Sequence, residues 1–148
     1  MKLPWPFSLF RTSTGPRTEA QRIGAWGETR AADLLRKKGY KLLGQNVRFG
    51  SRCELDLVVR SPAPDVLVFV EVKTRRSENY GRPMAAVDRH KRRSLGRAAA
   101  RYLNRIKAKP AHIRFDVVEV VGQPGDKNPV IRHIENAFSL GPGYRLPY

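Results

Sequence analysis

Two short stretches carry the acids and the amine that are best spaced for joint chemistry: Glu54-Leu55-Asp56-Leu57 and Glu71-Val72-Lys73. Alternation along an extended chain puts Glu54, Asp56 and Val58 on one face of a strand and Leu55, Leu57 and Val59 on the other. In the second stretch Leu67, Phe69, Glu71 and Lys73 share a face, with Glu71 and Lys73 about 7 Å apart at their Cα atoms. If the two strands are antiparallel neighbours, counting outward from their short connection brings Asp56 level with Glu71. Carboxylates gathered at the end of a buried strand repel one another, and their pKa values rise unless a cation sits among them. With a single cysteine and no clustered histidines, oxygen ligands suit Mg²⁺ or Mn²⁺ and not zinc. For the Glu-x-Lys pair alone, the alternative is a strand end in solvent whose charges pair at the surface.

The elements that must position these groups are legible in pattern and punctuation. Thr18-Glu19-Ala20-Gln21 has the spacing of a capping box, and Ile23, Gly27, Ala31, Leu34 and Leu35 fall on one arc. This predicts a helix over 18–38, closed by Gly39. Glu28 lies at the edge of the inward arc, where a carboxylate needs a partner. Gly24 and Gly27 each cost the helix about 1 kcal/mol, which suggests close approach of another backbone. Residues 40–49 and 54–60 read as a hairpin about Gly50-Ser51. Residues 66–73 are apolar on both faces, as in a central strand. A polar, basic loop over 74–83 leads to a second helix over 84–108, with Val87, Leu95, Ala98, Ala99, Tyr102 and Ile106 inward and six arginines from Arg89 to Arg105 outward. Lys91 interrupts that stripe, so its stem packs while its head either reaches a site or snorkels to solvent. Residues 112–121 and 130–134 read as the last two strands. The order αβββαββ predicts an α/β fold in which helices flank a mixed sheet.

Composition limits the function classes. A chain of 148 residues fits one domain, and 41% hydrophobic content supports a core. The net charge of +16 gains nothing for the fold and implies an acidic partner, with nucleic acid ahead of an anionic membrane surface or a ribosome-like assembly. The lone Cys53 excludes an intrachain disulfide and suits a reducing, cytoplasmic compartment. No stretch has the roughly 20 apolar residues of a membrane span, so no stable membrane insertion is expected. Residues 1–17 read as a loose arm, 18–138 as the domain and 139–148 as a tail. Tyr80 and Gly81, flanked by Arg75, Arg76 and Arg82, form a candidate phosphate-gripping loop, with Tyr80 available for stacking. Lys91, Arg92 and Arg93 on the second helix would extend it into a basic surface; the alternative is a solvated run of charge. His90, His112 and His133 have no spacing that suggests a metal cage, and Asp116 reads as a partner for Arg114 or a helix arginine.

Gly24-Ala25-Trp26-Gly27-Glu28, Glu54-Leu55-Asp56-Leu57, Phe69-Val70-Glu71-Val72-Lys73 and Arg114-Phe115-Asp116 together resemble the bacterial YraN-like family over residues 20 to about 121. That family is similar to the restriction-endonuclease-like superfamily and, within it, to archaeal Holliday junction resolvases. The resemblance implies a three-layer fold with a central mixed sheet, and a site of Glu28, Asp56, Glu71 and Lys73. It implies Mg²⁺ (or Mn²⁺) held by Asp56 and Glu71 with the Val72 carbonyl, Glu28 reaching a second metal or an outer water, and Lys73 orienting the attacking water. The superfamily's first acid is often preceded by proline; here Leu55 precedes Asp56. The implied activity is Mg²⁺-dependent endonucleolytic hydrolysis of branched or structured DNA, and action on two strands favours a symmetric homodimer. The rivals are a non-catalytic nucleic-acid-binding or assembly factor on the same fold, and a membrane-surface protein using the aromatic arm.

Overall fold

Thr18 starts the first helix as its spacing predicts. Its hydroxyl accepts from the Gln21 N–H, and the Gln21 side chain accepts from the Thr18 N–H. In the computed structural model, which describes residues 16–78 and 87–141, the elements are α1 (Glu19–Lys37), β1 (Lys41–Phe49), β2 (Cys53–Arg60), β3 (Val66–Arg75), α2 (Arg89–Arg105), β4 (His112–Val121) and β5 (Val130–Phe138). Gly39 closes α1 at a φ of 87°, where an L side chain is disfavoured.

The strands lie in the order β1-β2-β3-β4-β5. All neighbours are antiparallel except β3 and β4, which α2 joins by a crossover. One core lies under α2, where Leu95, Ala98, Ala99, Tyr102 and Leu103 pack on Val58, Phe69, Phe115 and Val117. The other lies under α1, where Ala31, Ala32 and Leu35 pack on Leu57, Val59, Val68, Val70, Val118 and Val120. β3 contributes to both cores, as an apolar run on both faces requires. Helix, mixed sheet and helix make three layers, the restriction-endonuclease-like arrangement expected above. Among the described residues no helix is long and apolar enough to cross a membrane.

The structure corrects several local readings. Strict alternation in β2 fails: Leu55 packs with Val58 under α2, while Leu57 and Val59 face α1. The switch falls at Asp56, opposite Asn46 of β1 (Val47 pairs with Leu55, Gln45 with Leu57), and Asn46 has a φ of 50°. Asparagine tolerates this left-handed conformation better than most residues, and it breaks the strand's regular pleat. β3 runs on to Arg75, so Thr74 and Arg75 are sheet residues and not loop. α2 starts at Arg89, where the Asp88 carboxylate accepts the Lys91 N–H, and ends at Arg105 because Ile106 turns extended. β5 continues past Ile134 to Phe138 because Asn136, with a φ of 50°, donates its N–H to Asp116 and lets Ala137 and Phe138 re-enter the core. The arm up to residue 15, the loop tip with Tyr80 and Arg82, and the tail from residue 142 lie outside the described residues.

Candidate functional site

The β2–β3 ladder runs from Arg60↔Leu67 to Leu57↔Val70, and one more step brings Asp56 level with Glu71. There the pairing gives way to a side-chain contact: the Val72 N–H donates to Asp56 Oδ2 at 2.8 Å. Asp56 thus takes the place of a backbone acceptor between the two strands and is locked beside the Glu-x-Lys segment. Glu71 is 4% exposed, and its Oε1 lies 3.4 Å from both Lys73 Nζ and Lys91 Nζ. Lys91 therefore reaches Glu71 from α2 while its side chain stays 40% exposed to solvent.

Glu28 enters from α1. The side chains of Gln45 and Asn46 hydrogen-bond it, so the irregular segment of β1 that redirects β2 also holds the helix acid. Glu28, Asp56, Glu71 and Val72 line a cleft of about 480 Å³ with Ala20, Ile23, Gly24, Thr74 and Arg76. Burial pushes the Asp56 carboxyl well above the usual range; Glu71 and Glu28 add to the rise, while the Val72 N–H and Lys91 oppose it. Burial is also the main reason the Glu28 carboxyl is raised, with opposing hydrogen bonds from Asn46 and Gln45 and reinforcing charges on Glu54 and Glu71.

Glu28 Oε2 and Glu71 Oε2 are buried and have no hydrogen-bond partner. Buried carboxylate oxygens without partners are costly. Both residues line one cleft beside a third carboxylate, and a hard divalent cation with its waters would satisfy such oxygens. Among the described residues no three His, Cys, Asp or Glu side chains close into a metal cage. An open, partly hydrated site fits Mg²⁺, which keeps several waters and takes one or two carboxylates. The residues present therefore fit the group.

The basic residues separate into several environments. Arg75 is 12% exposed at its side chain and pairs with Glu119 at 2.5 Å, so it is engaged inside the fold and is not part of an exposed loop. Arg76 lines the cleft and pairs with Glu19 at 2.8 Å across an exposed edge. On α2, Arg92 donates to the Val87 carbonyl and lies over Phe138, while Arg101 donates to the Phe49 carbonyl and Arg105 covers the Phe49 ring. Arg89, Arg93 and Arg97 stay exposed and line a groove against Ser139, Leu140 and Gly141.

A second polar cluster joins the α1–β1 connection, β4 and β5 away from the cleft. Asp116 is fully buried and accepts from Arg114 Nε at 2.7 Å, from Arg114 Nη2 at 2.8 Å and from the Asn136 N–H at 2.9 Å. His133, 2% exposed at its side chain, lies 2.7 Å from Asp116 Oδ2 through Nε2 and 2.6 Å from Lys38 Nζ through Nδ1. An ammonium only donates, so Nδ1 accepts and Nε2 carries the hydrogen toward Asp116. Tyr40 accepts from Arg114 and donates to Glu135. Asp116 pairs with Arg114 as its spacing suggested, but His133 is no ordinary strand histidine. It is part of a polar pin centred on the buried Asp116.

Sequence reasoning missed Gln45 and Asn46; the available signal was two adjacent amides interrupting a run of strand formers. A three-layer α/β protein with an acidic, lysine-flanked cleft at the parting of its central strands is the class that fold and site define. The pattern of the uncharacterised protein family UPF0102 matches residues 27–120. UPF0102 proteins of Symbiobacterium thermophilum (48% identical over 120 residues, covering 80% of this chain and 98% of the relative) and Pelobacter propionicus (39% over 140 residues, 95% and 99%) are similar to it along nearly their whole length. One of Bifidobacterium longum is 42% identical over 122 residues, covering 80% of this chain and 94% of the relative. The chain belongs to the UPF0102 family, the YraN-like group that its motifs resemble.

Proposed function

We propose that this protein is a Mg²⁺-dependent (or Mn²⁺-dependent) endonuclease of the cytoplasm that hydrolyses phosphodiester bonds in branched or otherwise structured DNA, working as a homodimer. The observation that carries the reading is the pair of buried, partnerless carboxylate oxygens of Glu28 and Glu71 beside Asp56, in a chain of net charge +16. A cation held by Asp56 and Glu71, with Glu28 as a further ligand or holding an outer water, would neutralise phosphate charge and acidify a water. Hydrolysis adds the water oxygen to phosphorus and breaks one P–O bond. Lys73 is suited to orienting that water and opposing the charge that builds on the phosphoryl oxygens. Arg76 at the cleft edge and Arg93 on the exposed face of α2 supply cations for flanking phosphates, contacts that carry affinity without reading bases.

A second reading, a non-catalytic nucleic-acid-binding factor, draws support from Lys91. With Lys73 it gives Glu71 two cationic partners, a neutralisation that holds the fold without turnover. The separating experiment incubates the full chain with single strands, linear duplex and a four-way junction, with and without Mg²⁺ or Mn²⁺. Metal-dependent cleavage that favours the junction is expected. Salt-sensitive binding of all three with no cleavage at any metal concentration would leave the second reading.

A further inference from the structure

Gly24 lies inside α1, where glycine disfavours the helix more than any residue but proline. Packing accounts for other glycines: a Cβ on Gly27 would overlap the Thr74 hydroxyl, and one on Gly96 would stand 3.1 Å from the Leu140 methyls. A Cβ on Gly24 would meet nothing within 4 Å. No contact within the described fold therefore requires a glycine there, and the space it leaves belongs to the cleft, which Gly24 lines.

Ala20, Gly24 and Glu28 follow at i, i+4 and i+8, one above another on the same helix face. They form a wall that presents a methyl, bare backbone and a carboxylate in turn. The row spans about 12 Å at 1.5 Å per residue, longer than one phosphate group, with Thr74 and Arg76 among the residues that complete the lining. We propose that the bare backbone at Gly24 is the surface against which the substrate's sugar-phosphate chain lies, so that Gly24 sets how closely that chain approaches Glu28, Asp56 and Glu71. This rests on the cleft reading above and adds a positioning residue to it. A wall about 12 Å long, with Arg76 among the lining residues, fits an extended anionic polymer and not a compact phosphate.

The test is a size series, Gly24→Ala and Gly24→Leu, with Thr29→Leu on an exposed position outside the cleft lining as control. Helix propensity predicts that Gly24→Ala raises Tm by about 2–4 °C, so weaker binding by it would not reflect misfolding. Affinity for a labelled four-way junction should fall from wild type to Gly24→Ala to Gly24→Leu, by roughly tenfold or more for the leucine variant, equivalent to one 1.4 kcal/mol step. Mn²⁺ affinity, read by electron paramagnetic resonance, should be unchanged across the series, and Thr29→Leu should match wild type in both assays. Equal junction affinity for wild type, Gly24→Ala and Gly24→Leu would overturn the inference alone, as would Mn²⁺ affinity falling in parallel with DNA affinity. A wild-type chain that binds no DNA would overturn the cleft reading and this inference with it.

Discussion

Gly27→Ala tests how α1 is seated over the end of β3. The added methyl would overlap the Thr74 hydroxyl and stand 3.1 Å from Thr74 Cβ and 3.2 Å from its Cγ2. Thr74 is β-branched and paired within the β3–β4 ladder opposite Val120, so it cannot swing away freely. Two terms oppose each other: alanine gains about 1 kcal/mol of helix propensity over glycine, and overpacking costs about 1–3 kcal/mol. A net loss on the order of 1 kcal/mol is expected, seen in urea unfolding as a lower midpoint at unchanged slope. Because Glu28 is the next residue, lifting α1 should also weaken Mn²⁺ binding. Thr74→Ala removes the hydroxyl and Cγ2, so in the Gly27→Ala background it should recover most of the loss, giving a favourable coupling in a double-mutant cycle. A Gly27→Ala protein stabilised by the full helix-propensity gain, or a Thr74→Ala effect that merely adds, would refute the contact and the seating of Glu28 built on it.

Asp56→Asn removes a buried charge that burial and Glu71 disfavour, while its amide oxygen can still accept the Val72 N–H. Melts without metal should show it equally or more stable than wild type, and added Mg²⁺ should stabilise wild type more; a marked metal-free loss would make Asp56 a structural ion-pair partner. For Asp116, burial alone would raise the carboxyl, but bonds from His133, Arg114 and the Asn136 N–H outweigh it and hold the pKa below its ordinary value. A lowered folded pKa contributes stability that is present above the unfolded value of about 3.9 and is lost as pH falls through the folded one. Asp116→Asn should therefore be less stable near neutrality, by about 3–5 kcal/mol as for a broken buried pair, and should lose less than wild type on acidification below about pH 4. Urea unfolding at neutral and acid pH checks both, and parallel losses in the two proteins would contradict the assignment.

The hairpin, the central strand and the crossover were legible because turn residues and apolar periodicity are local signals. The level placement of Asp56 and Glu71 followed from the short connection between β2 and β3. Facing within β2 was not legible, because it is decided by the left-handed Asn46 on the neighbouring strand. The same residue explains why the partners of Glu28 went unnoticed: its contact with Gln45 and Asn46 joins a helix to a strand 17–18 residues on. The pin of Lys38, Tyr40, Arg114, Asp116, His133 and Glu135 joins three separated stretches of chain, so no spacing could announce it. β5 looked finished at Ile134 because Glu135-Asn136 is polar, yet these two residues stay exposed while bonds to Arg114 and Asp116 carry the strand past them to the buried Ala137 and Phe138.

The central claim is that the cleft binds a metal through its acids and cuts DNA with the help of Lys73. Single-turnover cleavage of a four-way junction by wild type, Glu71→Gln and Lys73→Ala, alongside Mn²⁺ titration of each, tests it most directly. Glu71→Gln should abolish both metal binding and cleavage. Lys73→Ala should bind metal as well as wild type or more tightly, because a competing cation is gone, yet cut slower by orders of magnitude. If wild type cuts and Lys73→Ala cuts equally well, the account of the site is wrong.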